Sequence, residues 1–301
     1  MKLVFFGTSK FAVPALKKLA DSDYEIAAVI TQPDKPAGRK QELSPSPVKE
    51  AAQELGLKIL QPSKLDSKFE IPDSDIFIVA SYGKIIPKSI LAIPKYGTLN
   101  IHPSLLPKYR GPSPIQSAIL NGDKETGVSI MVLDAEMDHG PVLANVKAQI
   151  SNNKGFRELH DGLAVTGAEL LMEVLAKYIN GEIKPQPQDH SQVTFTKIIT
   201  KDDGRIDWNK PAEVINNLIR AYEDWPVAWT TLDGKRLKIF EAEVVSESGK
   251  QGELKMKNSS LIIFASSSAL EIKILQLEGG KKITAREFAN GRRTLKPQFA
   301  K

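Results

Sequence analysis

Four short runs rich in apolar residues, at 3–6, 25–31, 76–80 and 98–101, follow one another through the first third of the chain. Strands that are apolar on both sides belong in a parallel sheet covered on both faces, because a half-exposed strand alternates polar and apolar residues instead. Between the first two runs, after Gly7, residues Ala12, Leu16 and Leu19 recur at helical spacing, which gives a β-α-β opening. A helix over 48–55 and a strand over 57–60 continue the alternation, and strands over 128–133 and 142–150 follow the fourth run. A long helix over 156–179, packing Leu159, Leu163, Leu170, Leu171, Val174 and Leu175, closes the unit. The expected fold is α/β, an open Rossmann-like, mostly parallel sheet, which binds ligands beyond the carboxyl ends of its strands.

The second half reads differently. Residues 181–203 carry Pro185, Pro187 and many polar side chains with no sustained period, as an interdomain connection does. A helix is expected from Pro211 to about residue 221, with proline at its start. Five short segments follow at 228–232, 237–245, 252–256, 261–265 and 270–277, with turn signals at Asp233-Gly234 and Gly279-Gly280. Such spacing suggests a small OB-like β-barrel, an architecture that often binds oligonucleotides. The 301 residues thus divide into a first domain over 1–183, a linker over 184–203 and a C-terminal domain over 204–301.

The composition narrows the chemistry. There is no cysteine, which excludes disulfides and thiolate sites and fits a reducing compartment. The four histidines, His102, His139, His160 and His190, show no metal-ligand spacing, so no metal is expected. The apolar run at the N-terminus is too short for a signal segment and no stretch has 18 consecutive apolar residues, so no membrane association and a cytoplasmic location are expected. The net charge of +5 is uneven: residues 251–301 hold ten Lys/Arg against four Asp/Glu, a balance of +6. A basic surface attracts polyanions such as RNA, although a solvated charged face is the commoner origin of such a balance.

Asn100 and His102 stand two residues apart where the fourth strand ends, so both project to one side. An amide there can hold the oxygen of a tetrahedral intermediate, an imidazole can move protons, and a carboxylate such as Asp138 can fix the imidazole tautomer. That set suits acyl transfer to an amine, and no nucleophilic residue is needed. The turn at Gly7-Thr8-Ser9 lacks G-x-G-x-x-G, and Thr31-Gln32 stands where a ribose-binding acid is expected, which argues against a nicotinamide site. His139, His160 and His190 read as structural or exposed. The proline- and glycine-rich loop from Pro33 to Lys40 carries three cations, as either a mobile surface loop or a basic arm does.

Asn100-Ile101-His102, Ser104-Leu105-Leu106-Pro107 and the downstream Asp138 together resemble the folate-dependent formyltransferases. The likeness extends through Lys108-Tyr109-Arg110-Gly111, Gln32-Pro33-Asp34-Lys35-Pro36-Ala37-Gly38-Arg39, Arg205-Ile206-Asp207-Trp208 and Trp225-Pro226-Val227-Ala228-Trp229, nearly the whole chain. Ser9 stands where the family usually has proline, and Lys40-Gln41-Glu42 replaces a more uniformly basic stretch. The resemblance implies that 10-formyltetrahydrofolate is the co-substrate and that the acceptor is the α-amine of initiator methionyl-tRNA, with no obligatory protein partner. It makes Asn100, His102 and Asp138 catalytic, places Ser104, Leu105, Leu106 and Pro107 at the folate, and sets Lys35, Arg39 and Lys40 against the tRNA together with the C-terminal barrel. The alternatives are a formyltransferase for another amine, such as a nucleotide-linked amino sugar, and an RNA-binding protein with an inactive transferase-like domain.

Overall fold

The computed structural model describes every residue except 38–41, 67–68, 152–153, 258–259, 291–297 and 300–301. The chain divides into two compact units, one of Met1–Pro114, Glu125–Gln149 and His160–Lys197, the other of Ile115–Lys124, Ile150–Leu159 and Ile198–Lys301. Both units draw on segments distant in sequence.

The strands of the first unit are β1 (Lys2–Gly7), β2 (Glu25–Ile30), β3 (Lys35–Ala37), β4 (Glu42–Ser44), β5 (Ile59–Leu60), β6 (Ile76–Ala80), β7 (Thr98–His102), β8 (Glu125–Val132) and β9 (Val142–Gln149). Seven of them form one sheet in the order β5-β2-β1-β6-β7-β8-β9, while β3 and β4 pair only with each other. The pairings from β5 across to β7 are parallel, and β8 and β9 add two antiparallel ladders. Burial follows this topology. Every residue of β6 is buried, whereas β9, at the edge, alternates partly buried and exposed residues from Asn145 onward.

Five helices punctuate these strands: α1 (Val13–Ala20), α2 (Pro47–Glu54), α3 (Lys88–Leu91), α4 (Pro114–Leu120) and α5 (Phe156–Ile179). Helix α1 starts with Pro14 in its first turn and buries Ala15, Leu16 and Leu19, the face its spacing defines. Helix α2 is capped by Ser46, whose hydroxyl accepts from the Lys49 amide at 3.1 Å. In α5 the side chain missing at Gly167 admits β7: a Cβ there would stand 2.7 Å from Ile101 Cγ2. Ile101 therefore faces α5, and Asn100 and His102 face away from it.

The second unit contains α6 (Ala212–Ala221) and α7 (Ala285–Asn290), with strands β10 (Ala228–Leu232), β11 (Lys235–Val245), β12 (Glu253–Lys257), β13 (Ser260–Phe264), β14 (Ala269–Leu277), β15 (Ile283–Thr284) and β16 (Gln298–Phe299). All pairings are antiparallel, in the order β10-β11-β14-β13-β12-β16 with β15 on β14. Ala212, Ile215 and Ile219 form one face of α6 and join Leu237, Ile239, Leu261, Ile263, Leu270 and Ile272 in a single core. Trp208 enters the same core and satisfies its indole N–H on Thr230 Oγ1 at 3.0 Å.

Four features depart from what the sequence suggests. The strand expected over 57–60 shortens to Ile59–Leu60, α3 and α4 are additional helices, part of the loop after β2 forms the β3–β4 hairpin, and the second unit adds α7, β15 and β16 to the five expected strands. All are short; a four-residue helix and a three-residue strand holding Pro36 have too few positions to show a period. No helix among the described residues is long and apolar enough to cross a membrane.

Ile78 is fully buried in β6, aligned with Phe5 on one side and Leu99 on the other. Ile78→Ala should destabilise the first unit by about 2–5 kcal/mol. Urea unfolding should show this as a lower midpoint with an unchanged slope, and a loss below about 0.5 kcal/mol would refute close packing at this position.

Candidate active site

The strand order of the main sheet reverses between β1 and β6, and β7 lies next to β6. At the carboxyl ends of these strands the loops are tied together: the Thr8 amide donates to Ser81 O at 3.2 Å and the Thr8 hydroxyl to Tyr82 O at 2.8 Å. Asn100 and His102 end β7 beside this crevice, where open α/β sheets hold their ligands.

The His102 imidazole is only 4% exposed. Its Nε2 lies 3.1 Å from the Tyr109 carbonyl, and because a carbonyl can only accept, Nε2 carries the hydrogen. Its Nδ1 faces Asp138 Oδ1 at 3.6 Å, an ion-pair approach too long for a hydrogen bond. The carboxylate expected at the imidazole thus faces Nδ1, while the Tyr109 carbonyl holds Nε2. Nδ1, next to Asp138, is the nitrogen left to take or give a proton.

Asp138 is held by its backbone as much as by its side chain. Its φ is 47°, in the left-handed region that non-glycine residues seldom occupy. Its Oδ2 accepts from the Gly111 amide at 2.8 Å. Gly111, at φ 112°, has no room for a side chain, since a Cβ would stand 2.7 Å from Thr196 Oγ1. Asn100 differs from both neighbours. Its amide makes no hydrogen bond to a described residue, so its donors stay available to a ligand.

Residues 104–107 turn sharply after β7. The Ser104 hydroxyl is buried and donates to Lys108 O at 2.6 Å, so its hydrogen is spent inside the loop. From β8, the Ser129 hydroxyl donates to Ser104 O at 2.7 Å and accepts from the Leu106 amide at 3.1 Å. Leu106 is buried, which leaves Leu105 and Pro107 as the partly exposed side chains of this stretch. Tyr109, at φ 61°, turns the chain on toward Arg110.

The segment expected to connect the two halves contributes directly to the site. Gln186 and Val142 exchange two backbone hydrogen bonds, each 2.8 Å. Farther on, the Arg110 amide donates to Thr194 O at 2.9 Å and the Thr196 amide to Arg110 O at 2.8 Å. The buried Arg110 guanidinium donates to Gln188 Oε1 and to His190 Nδ1, the latter at 3.0 Å. His190 stacks on His139, with ring centroids 4.6 Å apart, and His139 Nδ1 lies 2.7 Å from Asp134. Arg110 and Gln188 escape sequence reasoning because polar loop partners joined across 78 residues leave no periodic trace. Their one signal was Arg110 standing in the motif that follows Pro107.

The cationic arm rests on a polar base. Lys35 is exposed at the start of β3 with its ammonium donating to Gln32 Oε1 at 2.7 Å, while Arg39 and Lys40 lie outside the described residues. Hydrogen bonds from the Lys49 ammonium and the Gln61 amide hold the Asp34 carboxyl below the usual carboxylate range. Among the described residues no group of three or more side chains is arranged to hold a metal ion.

Residues 1–175 match the family described as formyl transferase, and residues 198–293 match its C-terminal domain. A methionyl-tRNA formyltransferase from Caldanaerobacter subterraneus is 44% identical over 299 residues, covering 97% of this chain and 97% of the relative. Another, from Chloroflexus aurantiacus, is 47% identical over 254 residues, covering 83% of this chain and 82% of the relative. An N-formyltransferase from Helicobacter canadensis, solved with folinic acid and dTDP-3-aminofucose, shares the fold with a TM-score of 0.70 at 20% identity, over 94% of this chain and 100% of its own.

Ser129→Ala removes one hydroxyl that serves two backbone groups of the buried turn. Each group left unsatisfied should cost about 1–3 kcal/mol. Thermal unfolding should show a clearly lower midpoint in this variant; a parental midpoint would mean that the 104–107 turn does not depend on β8.

Proposed function

The chain belongs to the formyl transferase family, and from that premise we propose that it transfers the formyl group of 10-formyltetrahydrofolate to the α-amine of methionine esterified to initiator tRNA. The product is N-formylmethionyl-tRNA, used in translation initiation. Identity of 44% across 97% of a methionyl-tRNA formyltransferase supports the acceptor. The observation that carries the chemistry is the Asn100 side-chain amide, without a hydrogen bond among the described residues, on the same strand face as His102, whose Nδ1 looks at Asp138 from 3.6 Å.

The acceptor amine must be neutral to attack; a free α-amine titrates at roughly 8, and esterification lowers that value. Its nitrogen adds directly to the formyl carbon, and the carbonyl oxygen becomes an oxyanion. Asn100 donates a hydrogen bond to that oxygen, and His102 assists the same charge or relays protons. The intermediate collapses when the bond from the formyl carbon to N10 of the folate breaks. The amine loses one proton and N10 gains one, so the exchange balances. Asp138 orients the imidazole and helps deliver the proton to N10.

The partly exposed Leu105 and Pro107 are the side chains of the 104–107 turn available to the folate, with Ser104 and Leu106 shaping it from within. The arm carrying Lys35, Arg39 and Lys40 reaches the tRNA near the methionine, and the basic C-terminal half of the second unit holds more of it. In this reading residues 1–183 carry the catalysis, the stretch up to Lys197 that follows is built into the same unit, and residues 204–301 bind tRNA, with the reaction in the cytoplasm.

Two experiments test this reading. Removing one oxyanion donor typically costs about 2.7–4 kcal/mol, so Asn100→Ala should lower formylation of methionyl initiator tRNA by about a hundredfold or more while circular dichroism stays parental. Near-parental turnover in that variant would remove Asn100 from the mechanism. Raising salt from about 50 to about 200 mM should weaken tRNA binding by orders of magnitude and folate binding far less. Equal sensitivity of the two ligands would contradict the assignment of the basic surfaces.

A further inference from the structure

Gln188 is 8% exposed and uses its whole hydrogen-bonding capacity. Its Nε2 donates to the backbone carbonyls of Asp138, at 2.9 Å, and Gly140, at 2.7 Å. Its Oε1 accepts from Arg110 twice, from Nε at 3.1 Å and from a terminal nitrogen at 2.8 Å. The orientation of the amide is fixed by its partners. Turned over, it would set its NH2 against a guanidinium and its oxygen against two carbonyls, and all four contacts would repel.

These bonds close a circuit. Arg110 precedes Gly111, whose amide holds the Asp138 carboxylate, and follows Tyr109, whose carbonyl holds His102 Nε2. Gln188 therefore joins the turn that carries those two contacts to the turn that carries Asp138. It grips the second turn at the left-handed residue itself, where the backbone at φ 47° needs outside support. A shift of either turn would move the carboxylate relative to the imidazole while Asn100 stays fixed on its strand.

We propose that Gln188 is a positioning residue for formyl transfer, clamping the Asp138 turn to the Arg110 turn so that the carboxylate stays facing His102 Nδ1. The inference rests on the reading of Asp138 as catalytic. A residue of this kind acts on the chemical step and leaves both substrate sites intact, because misplacement by an ångström alone can cost about a hundredfold in rate.

Gln188→Glu separates the two halves of the clamp, since the new carboxylate keeps Arg110 but sets an acceptor against the carbonyls of Asp138 and Gly140. Gln188→Met fills the same space with neither bond. Steady-state kinetics with methionyl initiator tRNA and 10-formyltetrahydrofolate, alongside thermal unfolding, should show kcat lower by about tenfold or more in Gln188→Glu. KM for both substrates should stay within about twofold. Because Gln188 works through Asp138, adding Gln188→Glu to Asp138→Asn should cost less than about twofold further. Parental kcat in folded Gln188→Glu, or an equal loss in the Asp138→Asn background, overturns the proposal. If Gln188→Glu fails to fold, Gln188→Met decides by the same readouts, and collapse of both variants overturns it in favour of a purely structural role. Parental activity of Asp138→Asn alone would instead overturn the reading of Asp138.

Discussion

The Asp138 carboxylate, facing a nearly buried imidazole at 3.6 Å, is the interaction on which the rest of the site depends. A charge in such a place needs fixed hydrogen-bond partners, because few waters can rearrange around it. One oxygen has the Gly111 amide, and the residue's own carbonyl has Gln188. Each tether demands something of the sequence: a glycine where no Cβ fits, a left-handed backbone at residue 138, and a buried arginine to turn the Gln188 amide the right way. Of the three residues proposed to act in transfer, Asp138 stands on a loop held by other loops, and Asn100 and His102 stand on the sheet.

This division of labour fits direct acyl transfer. The reaction needs no covalent intermediate on the protein, so the site has to stabilise an oxyanion and move one proton from amine to leaving group. Asn100, the proposed oxyanion donor, sits on a strand flanked by β6 and β8. The proton path tolerates a loop, provided the loop is clamped. The Tyr109 carbonyl accepts the Nε2 hydrogen, which leaves Nδ1 facing Asp138.

Much of the first unit was legible because strands buried on both faces leave continuous apolar runs, as Ile76–Ala80 does. Asn100 and His102 were legible for a similar reason, since a period of two puts both on one face. Asp138 stood out as an acid before His139-Gly140, but its approach to His102 depends on the closure of two loops, which no local pattern records. The contact of His102 Nε2 with the Tyr109 carbonyl is invisible to any argument from side-chain types, because its acceptor is backbone. Gln188 was hidden in a stretch that reads only as polar connection. Its importance arises from partners 48 to 78 residues away.

In the proposed reaction the formyl carbon sits between the Asn100 amide and His102. A crystal structure of the protein with a stable N10-acyl folate analogue tests this most directly. The acyl oxygen should lie about 2.7–3.1 Å from Asn100 Nδ2, with the carbonyl carbon open on its other face to an incoming amine. An acyl oxygen pointing away from Asn100, with the analogue otherwise seated at the carboxyl end of β7, would contradict it.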